Sequence, residues 1–247
     1  MVKMFQAVLE DVTILKNSLE AITELIDEAV LQVKKNGLEI LASDRSVVAV
    51  VDFFLSSKAF SEYDSSQRLD VGLNLLSLLQ ILKRAKSDDK VVLRIDNEKI
   101  QIILEGETER KFTLPIITIG TEDVPDISKL EFKANLELSS EQIVDAVNDA
   151  NLVGDYLIFV ADNEQFRMRS SSDTSSTETF IAKDRLKMEL QEPARARYSL
   201  EYLKKMAKAA KLVDKVQLGL SNNYPLKMNF ESPDVRLQFI LAPRVED

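Results

Sequence analysis

The sequence predicts an α+β fold made of two similar halves, each an antiparallel sheet with helices on one face. Three observations lead there. Residues 199–213, SLEYLKKMAKAAKLV, hold four lysines and one acid, in a chain with 32 Lys+Arg against 41 Asp+Glu. At 100° per residue Leu203, Met206, Ala207 and Ala210 share one helix face, and Lys204, Lys208 and Lys211 share the opposite one. Residues 74–86, NLLSLLQILKRAK, repeat the Leu-rich face and the basic end, with Lys83, Arg84 and Lys86. Both segments run into Asp-Lys-Val, at 89–91 and 214–216, so the unit occurs twice. The remaining apolar segments are short, alternating and joined mostly by tight turns, the signature of antiparallel sheet. A basic helix laid on such a sheet by its leucines presents its lysines outward, to one side.

Composition narrows the function. A chain of 247 residues can form two domains of about 120 residues each. The net charge of −9 excludes a protein coated in base, though not a local basic surface. There is no cysteine and no histidine, which removes disulfides, zinc sites and Ser/His/Asp or Cys/His nucleophile systems. The six glycines never cluster into a phosphate loop. No apolar run approaches membrane-spanning length, so the expected location is cytoplasmic, in a reducing compartment.

Taken in order, residues 2–9 predict a strand and Asp11 caps a helix through about Ile26, with Val12, Leu15, Leu19, Ile22 and Ile26 as its stripe. Strands 29–33 and 38–42 flank a turn at Lys35-Asn36-Gly37. Residues 47–55, VVAVVDFFL, are apolar enough to require cover on both faces. Val71 leads into the first basic helix; strands 91–95, 100–104 and 111–116 follow, the first two joined at Asp96-Asn97. Residues 117–130 lose periodicity and read as a linker. The grammar then restarts: strand 132–138, a capping box from Ser139 and Gln142, helix 141–150, and strands 156–160 and 165–169 around Asp162-Asn163. After a polar loop at 170–176 comes strand 177–182; residues 187–191 lead to the second basic helix, and strands 216–220, 226–230 and 236–241 follow.

Five segments at this spacing carry a resemblance: Ile14-Leu15-Lys16 with Leu19-Glu20-Ala21; residues 41–48, LASDRSVV; Gly72-Leu73-Asn74 with Ile81-Leu82-Lys83; Tyr198-Ser199-Leu200 with Tyr202-Leu203; and residues 241–246, LAPRVE. Together they resemble the proliferating cell nuclear antigen family of sliding clamps, in its archaeal form, over the whole chain. The resemblance implies a ring-forming DNA clamp (processivity) fold of three identical subunits. Each would contain two like domains, 1–117 and 131–247, joined by a connector at 118–130. Duplex DNA would thread the hole without regard to sequence and a DNA polymerase would be tethered to the ring. Further partners would be the clamp loader (replication factor C), flap endonuclease and DNA ligase, docking through PIP-type peptides. No catalysis, cofactor or metal is implied, and the location would be nucleoid-associated.

The bases expected to meet phosphates are Lys16, Lys83, Arg84, Lys86, Lys204, Lys205, Lys208 and Lys211. Family members often have Lys or Arg where this chain has Asp145 and Asn148, with Asp149 beside them, so the third helix is expected to be neutral to acidic. The partner pocket implied by the resemblance matches Val47, Val48, Val50, Val124, Pro125, Pro225, Ile240, Ala242 and Pro243. Two alternating strands without an obvious neighbour are expected to close the subunit interface. One offers Lys111, Phe112, Thr113 and Leu114, the other Thr177, Glu178, Thr179, Phe180 and Ile181. The alternatives are one subunit of a heterotrimeric clamp, or an enzyme holding magnesium through Asp44, Asp52, Asp96 or Asp123. Those acids sit in turns and at strand ends, where Asp serves turn geometry more often than metal.

Overall fold

The computed structural model describes residues 5–65, 67–96, 98–120 and 124–245. The first copy of the repeat runs β1 (Phe5–Leu9), α1 (Thr13–Ile22), β2 (Glu28–Lys34), β3 (Gly37–Ser43), β4 (Ala49–Ser56), β5 (Glu62–Ser65), β6 (Leu69–Asn74), α2 (Leu75–Leu82), β7 (Lys90–Ile95), β8 (Lys99–Glu105) and β9 (Glu109–Pro115). The second runs β10 (Ala134–Ser139), α3 (Ser140–Asn151), β11 (Tyr156–Ala161), β12 (Gln165–Ser171), β13 (Ser176–Ala182), β14 (Lys187–Leu190), β15 (Ala194–Ser199), α4 (Leu200–Met206), β16 (Lys215–Leu220), β17 (Leu226–Glu231) and β18 (Val235–Leu241). The order of elements is the same in both copies, and so is the pairing. β1 pairs antiparallel with β5 and β7 as β10 does with β14 and β16. β2 pairs with β3 and β6 as β11 does with β12 and β15.

The chain forms two units, one of residues 1–43, 51–124 and 232–237, the other of residues 44–50, 125–231 and 238–247. In the first unit the sheets run β5-β1-β7-β8-β9 and β6-β2-β3, the latter continued by residues 51–56 of β4. Leu15 and Leu19 of α1 meet Leu75 and Leu78 of α2 over Leu31 and Phe53, joining helices and sheet in one core. Four of the five α2 leucines, 75, 78, 79 and 82, are buried, each contributing about 2 kcal/mol. In the second unit the sheets run β14-β10-β16-β17, continued by residues 238–241 of β18, and β13-β12-β11-β15. Its core holds Phe159 edge-on to both Phe166 and Tyr198, at 5.7 and 5.5 Å.

Several expectations need correction. Asp11 is not the cap of α1: the cap residue is Val12, and Asp11 instead accepts the Thr13 N–H at 2.8 Å. The helix stops at Ile22, although Ile26 stays buried as the stripe requires. The strand expected from 47 begins at Ala49, because Val47 occupies a turn with φ 54°. The first basic helix ends at Leu82, so Lys83, Arg84 and Lys86 lie past its end. The second gives way at Ala207 to a 3-10 helix, Ala207–Lys211. Three residues per turn bring Ala209 beneath Met206, so Ala209 is buried in place of Ala210. Strands β5, β6, β14 and β15 are additions to the pattern read from sequence. The capping box is present in full: Gln142 N–H donates to Ser139 Oγ at 3.1 Å and Ser139 N–H to Gln142 Oε1 at 3.0 Å. Residues 1–4, Asn97, Asp123 and Glu246, each part of a segment read above, lie outside the described residues.

Candidate functional site

The basic residues are held differently in the two units. In the first, Lys16 is half-exposed on α1, and Lys83, at the C-cap of α2, pairs with Glu20 of α1 at 3.0 Å. Arg84 and Lys86 are exposed in a turn built on a buried carboxylate. Asp89 accepts the Lys86 N–H at 2.8 Å and pairs with Arg110, whose guanidinium also donates to the Arg84 carbonyl at 3.0 Å. A Cβ at position 106 would lie 2.1 Å from Asp89 Oδ1, so a larger residue there would displace the carboxylate. In the second unit Lys204, Lys208 and Lys211 are exposed along α4 and its 3-10 extension. Lys204 Nζ donates to Asn151 Oδ1 at the end of α3, at 2.9 Å. Lys205 turns aside to Glu201, at 2.9 Å, and lies over the Tyr202 ring. The neighbouring α3 exposes Glu141, Asp145, Asn148 and Asp149.

A second feature is the turn between β3 and β4, which belongs to the second unit together with the C-terminal residues. Asp44 is 8% exposed, and its carboxylate accepts the N–H groups of Ser46 (3.2 Å), Val48 (2.8 Å) and Ala49 (2.7 Å) and the hydroxyl of Tyr202 (2.9 Å). Burial pushes the carboxyl up, but these four donors together bring it below its ordinary value. Burial and the bond to Asp44 raise the Tyr202 hydroxyl. The turn forces Val47 to positive φ and leaves it 53% exposed, an uncommon state for a β-branched residue. Val48 C=O then accepts the Ala242 N–H at 2.9 Å, which brings Val47 and Val48 to Ala242 and Pro243. Val50 and Ile240 are buried behind this surface. Pro225 is half-exposed in the same unit, and Pro125 is exposed; Val124 is half-exposed in the first unit.

The other carboxylates that the sequence offers as metal ligands have partners of their own. Asp52 takes both bonds of Arg236 (3.0 and 3.1 Å), and Asp96 accepts the N–H groups of Glu98 and Lys99 (both 3.1 Å). Among the described residues no three acids gather as a metal site would need. The sequence reading of Asp44 as a turn residue is borne out by its bonds; its partner Tyr202 was missed.

Third, among the described residues β9 and β13 are each the last strand of a sheet, paired with β8 and β12. On β9 Phe112 and Leu114 are half-buried while Lys111 and Thr113 face solvent. On β13 Thr177 and Thr179 are half-buried, Ile181 is buried, and Glu178 and Phe180 are exposed.

Comparison with known proteins covers nearly the whole chain. The family model described as proliferating cell nuclear antigen, N-terminal domain, matches residues 4–124, and that for the C-terminal domain matches residues 126–245. A DNA polymerase sliding clamp of Pyrococcus furiosus is 33% identical over 98% of this chain and 99% of its own. One of Thermococcus fumicolans is 34% identical over 91% of this chain and 92% of its own. The crystal structure of the proliferating cellular nuclear antigen from Entamoeba histolytica superposes with a TM-score of 0.91 at 25% identity, covering 99% of this chain and all of that one.

Proposed function

This chain belongs to the proliferating cell nuclear antigen family, and we propose that it works as a DNA sliding clamp, a non-enzymatic processivity factor that keeps DNA polymerase on its template. The observation that carries the reading is the full-length family match laid over a twice-repeated unit with basic residues at the helices. Lys204, Lys208 and Lys211, with Lys83, Arg84 and Lys86, meet phosphates. Contacts of this kind attract duplex without reading bases, so the protein slides. Lys16 adds a contact within the first unit, while Lys205, paired with Glu201, contributes less.

In this reading residues 1–117 and 131–247 are the two clamp domains and 118–130 their connector. Three copies close a ring by pairing β9 of one with β13 of the next, since a head-to-tail joint of exposed edges that closes yields a ring. Replication factor C, flap endonuclease and DNA ligase bring an aliphatic or aromatic anchor to the surface formed by Val47, Val48, Ala242 and Pro243, with Pro125 and Pro225 of the same unit and Val124 of the connector as further contacts. Such a protein acts inside the cell, at the nucleoid. Among the described residues no helix is long and apolar enough to cross a membrane.

The test is a paired measurement on the Lys204→Glu/Lys208→Glu variant: mass by light scattering, and polymerase processivity on primed circular DNA. The reading expects an intact trimer with reduced processivity. It also expects the log–log salt slope for duplex binding to fall by about 0.9 for each phosphate that is no longer neutralised. A parent protein that stays monomeric at moderate salt sinks the homotrimer; unchanged processivity in an intact trimer removes these helices from the DNA.

A further inference from the structure

Helix α4, which carries Lys204 and runs into Lys208 and Lys211, is tied by two routes to the segments that present Val47, Val48, Ala242 and Pro243. The first route starts at Tyr202. Its hydroxyl donates to Asp44 Oδ2 at 2.9 Å, where the other donor, the Ser46 N–H, lies farther off at 3.2 Å. Asp44 Oδ1 takes the shorter bonds, from the Val48 and Ala49 N–H groups at 2.8 and 2.7 Å. A carboxylate turns as one piece about a soft torsion, so the donor on Oδ2 helps decide where Oδ1 points. Val48 C=O then accepts the Ala242 N–H at 2.9 Å, completing a chain Tyr202–Asp44–Val48–Ala242. The second route leaves from the first residue of the helix. Leu200 N–H donates to Asp155 C=O at 3.0 Å, and the Asp155 carboxylate holds Arg244 at 2.6 Å. All of these residues belong to the second unit.

The turn has a second state to fall into when it is not held. Val47 sits at φ 54°, a strained setting for a β-branched residue that persists only while its surroundings impose it. The helix is a weak element by itself. It is seven residues long, its N-cap Ser199 makes no side-chain hydrogen bond, and it gives way to a 3-10 helix at Ala207. So short a helix keeps its place by tertiary contact. We propose that Tyr202 is a positioning residue for partner docking, and that through its hydroxyl the lysine-bearing helix and the docking turn are coupled. The two sites it joins are those of the clamp reading, on which the proposal rests. Lys205, held by Glu201 at 2.9 Å, lies over the Tyr202 ring and braces the phenol against the helix. Lys204 bonds only a neutral amide, that of Asn151, so its charge is left for a phosphate. Phosphates on these lysines steady α4, the steadied helix holds the Asp44 carboxylate, and the carboxylate keeps Val47 and Val48 presented. Order supplied by DNA need not be supplied again by the partner, so each ligand tightens the other by the same factor.

The experiment is an anisotropy titration of a labelled PIP-type peptide, with an aliphatic and an aromatic anchor, in the presence and absence of a short duplex. Tyr202→Phe removes the hydroxyl and keeps the ring. It is expected to weaken the peptide about tenfold, the worth of one hydrogen bond to a charged group. Trimer mass and the salt slope for duplex stay at the parent values. Duplex is expected to tighten the peptide about fivefold in the parent and not at all in Tyr202→Phe. Glycine is at ease at positive φ, so in a Val47→Gly background Tyr202→Phe is expected to cost less than about twofold, which general loss of packing would not give. The proposal is overturned if Tyr202→Phe binds the peptide as the parent does, or if duplex changes peptide affinity by the same factor in both. It falls alone when Lys204→Glu/Lys208→Glu still lowers processivity and the parent still binds the peptide. A parent that binds no peptide removes the docking surface of the clamp reading, and the proposal with it. Should Tyr202→Phe not fold in a circular dichroism melt, Asp44→Asn decides the matter. It keeps an oxygen for Val48 and Ala49 but turns an NH₂ group to Tyr202, so peptide binding as tight as the parent's overturns the proposal.

Discussion

In the first unit the bases Lys83, Arg84 and Lys86 follow the last turn of α2 and hang on a buried carboxylate, whereas in the second Lys204, Lys208 and Lys211 stand on the helix and its 3-10 extension. Both segments then enter Asp-Lys-Val, yet the two aspartates do opposite things. Asp89 is buried and gathers Arg110 and the Lys86 N–H with its side chain. Asp214 is exposed and contributes its backbone: its C=O accepts the Ser140 N–H at 2.8 Å, while Ser140 Oγ donates to Val213 C=O at 2.7 Å. A sequence echo therefore transmits the order of elements without transmitting the local joint. In one unit the joint is a carboxylate, and in the other it is the first residue of a helix.

Breaking that asymmetry gives the largest expected effect. Asp89→Ala leaves the Arg110 guanidinium without its carboxylate and the Lys86 N–H without an acceptor; it is expected to destabilise by about 3–5 kcal/mol. Asp214→Ala keeps the backbone acceptor and is expected to change stability by no more than about 0.5 kcal/mol. Urea unfolding of the two variants side by side checks both, and equal losses would mean that the joints are alike after all.

The same contrast explains what was legible in the sequence. Elements announced by local chemistry could be read: the Ser139–Gln142 capping box, the Lys35-Asn36 turn between β2 and β3, and the alternation of β9. β15, ARARYS, was missed because its buried face is Ala194 and Ala196, too small to register as apolar, with Tyr198 as the one large residue. β5, EYDS, buries no residue fully and gave no pattern. The bases could be recognised as charge, but not the way they are held. The Glu20 partner of Lys83 is 63 positions away in sequence (83 − 20), and the Tyr202 partner of Asp44 is 158 away. Pairings of that range come from tertiary contact, which periodicity does not report.

The Asp44 turn sharpens the comparison further, because it is a second carboxylate joint, satisfied by neutral donors instead of an arginine. Asp44→Ala removes the acceptor of three N–H groups and one hydroxyl and is expected to cost about 1–3 kcal/mol. Its pH dependence has a definite sign. The folded carboxyl lies below the ordinary 3.8, so its stabilisation is fully present above that value and is lost as pH falls through the folded pKa. The gap in thermal midpoint between the parent and Asp44→Asn should therefore be widest near neutrality and shrink below about pH 4. A gap that stays constant down to about pH 3 would show that the turn is held by its backbone bonds alone.

The smallest effect expected concerns the exposed face of α3. Glu141, Asp145 and Asp149 stand there beside the lysines of α4, in the unit where the bases are best displayed. If those lysines meet DNA, the acids lie within a Debye length of the same phosphates, about 10 Å at 0.1 M salt, and oppose the contact they adjoin. Asp145→Lys removes one repulsion and adds one attraction. It should strengthen duplex association and steepen the log–log salt slope by up to about 0.9, the increment of a single added phosphate contact. Folding should hardly change, because Asp145 is exposed on a helix already anchored by Ile143, Ala146, Val147 and Ala150. The effect should also vanish in the Lys204→Glu/Lys208→Glu background, where no phosphate remains near α3. Duplex affinity measured at several salt concentrations in both backgrounds decides it. A gain of equal size in each would mean that α3 and α4 do not approach DNA together.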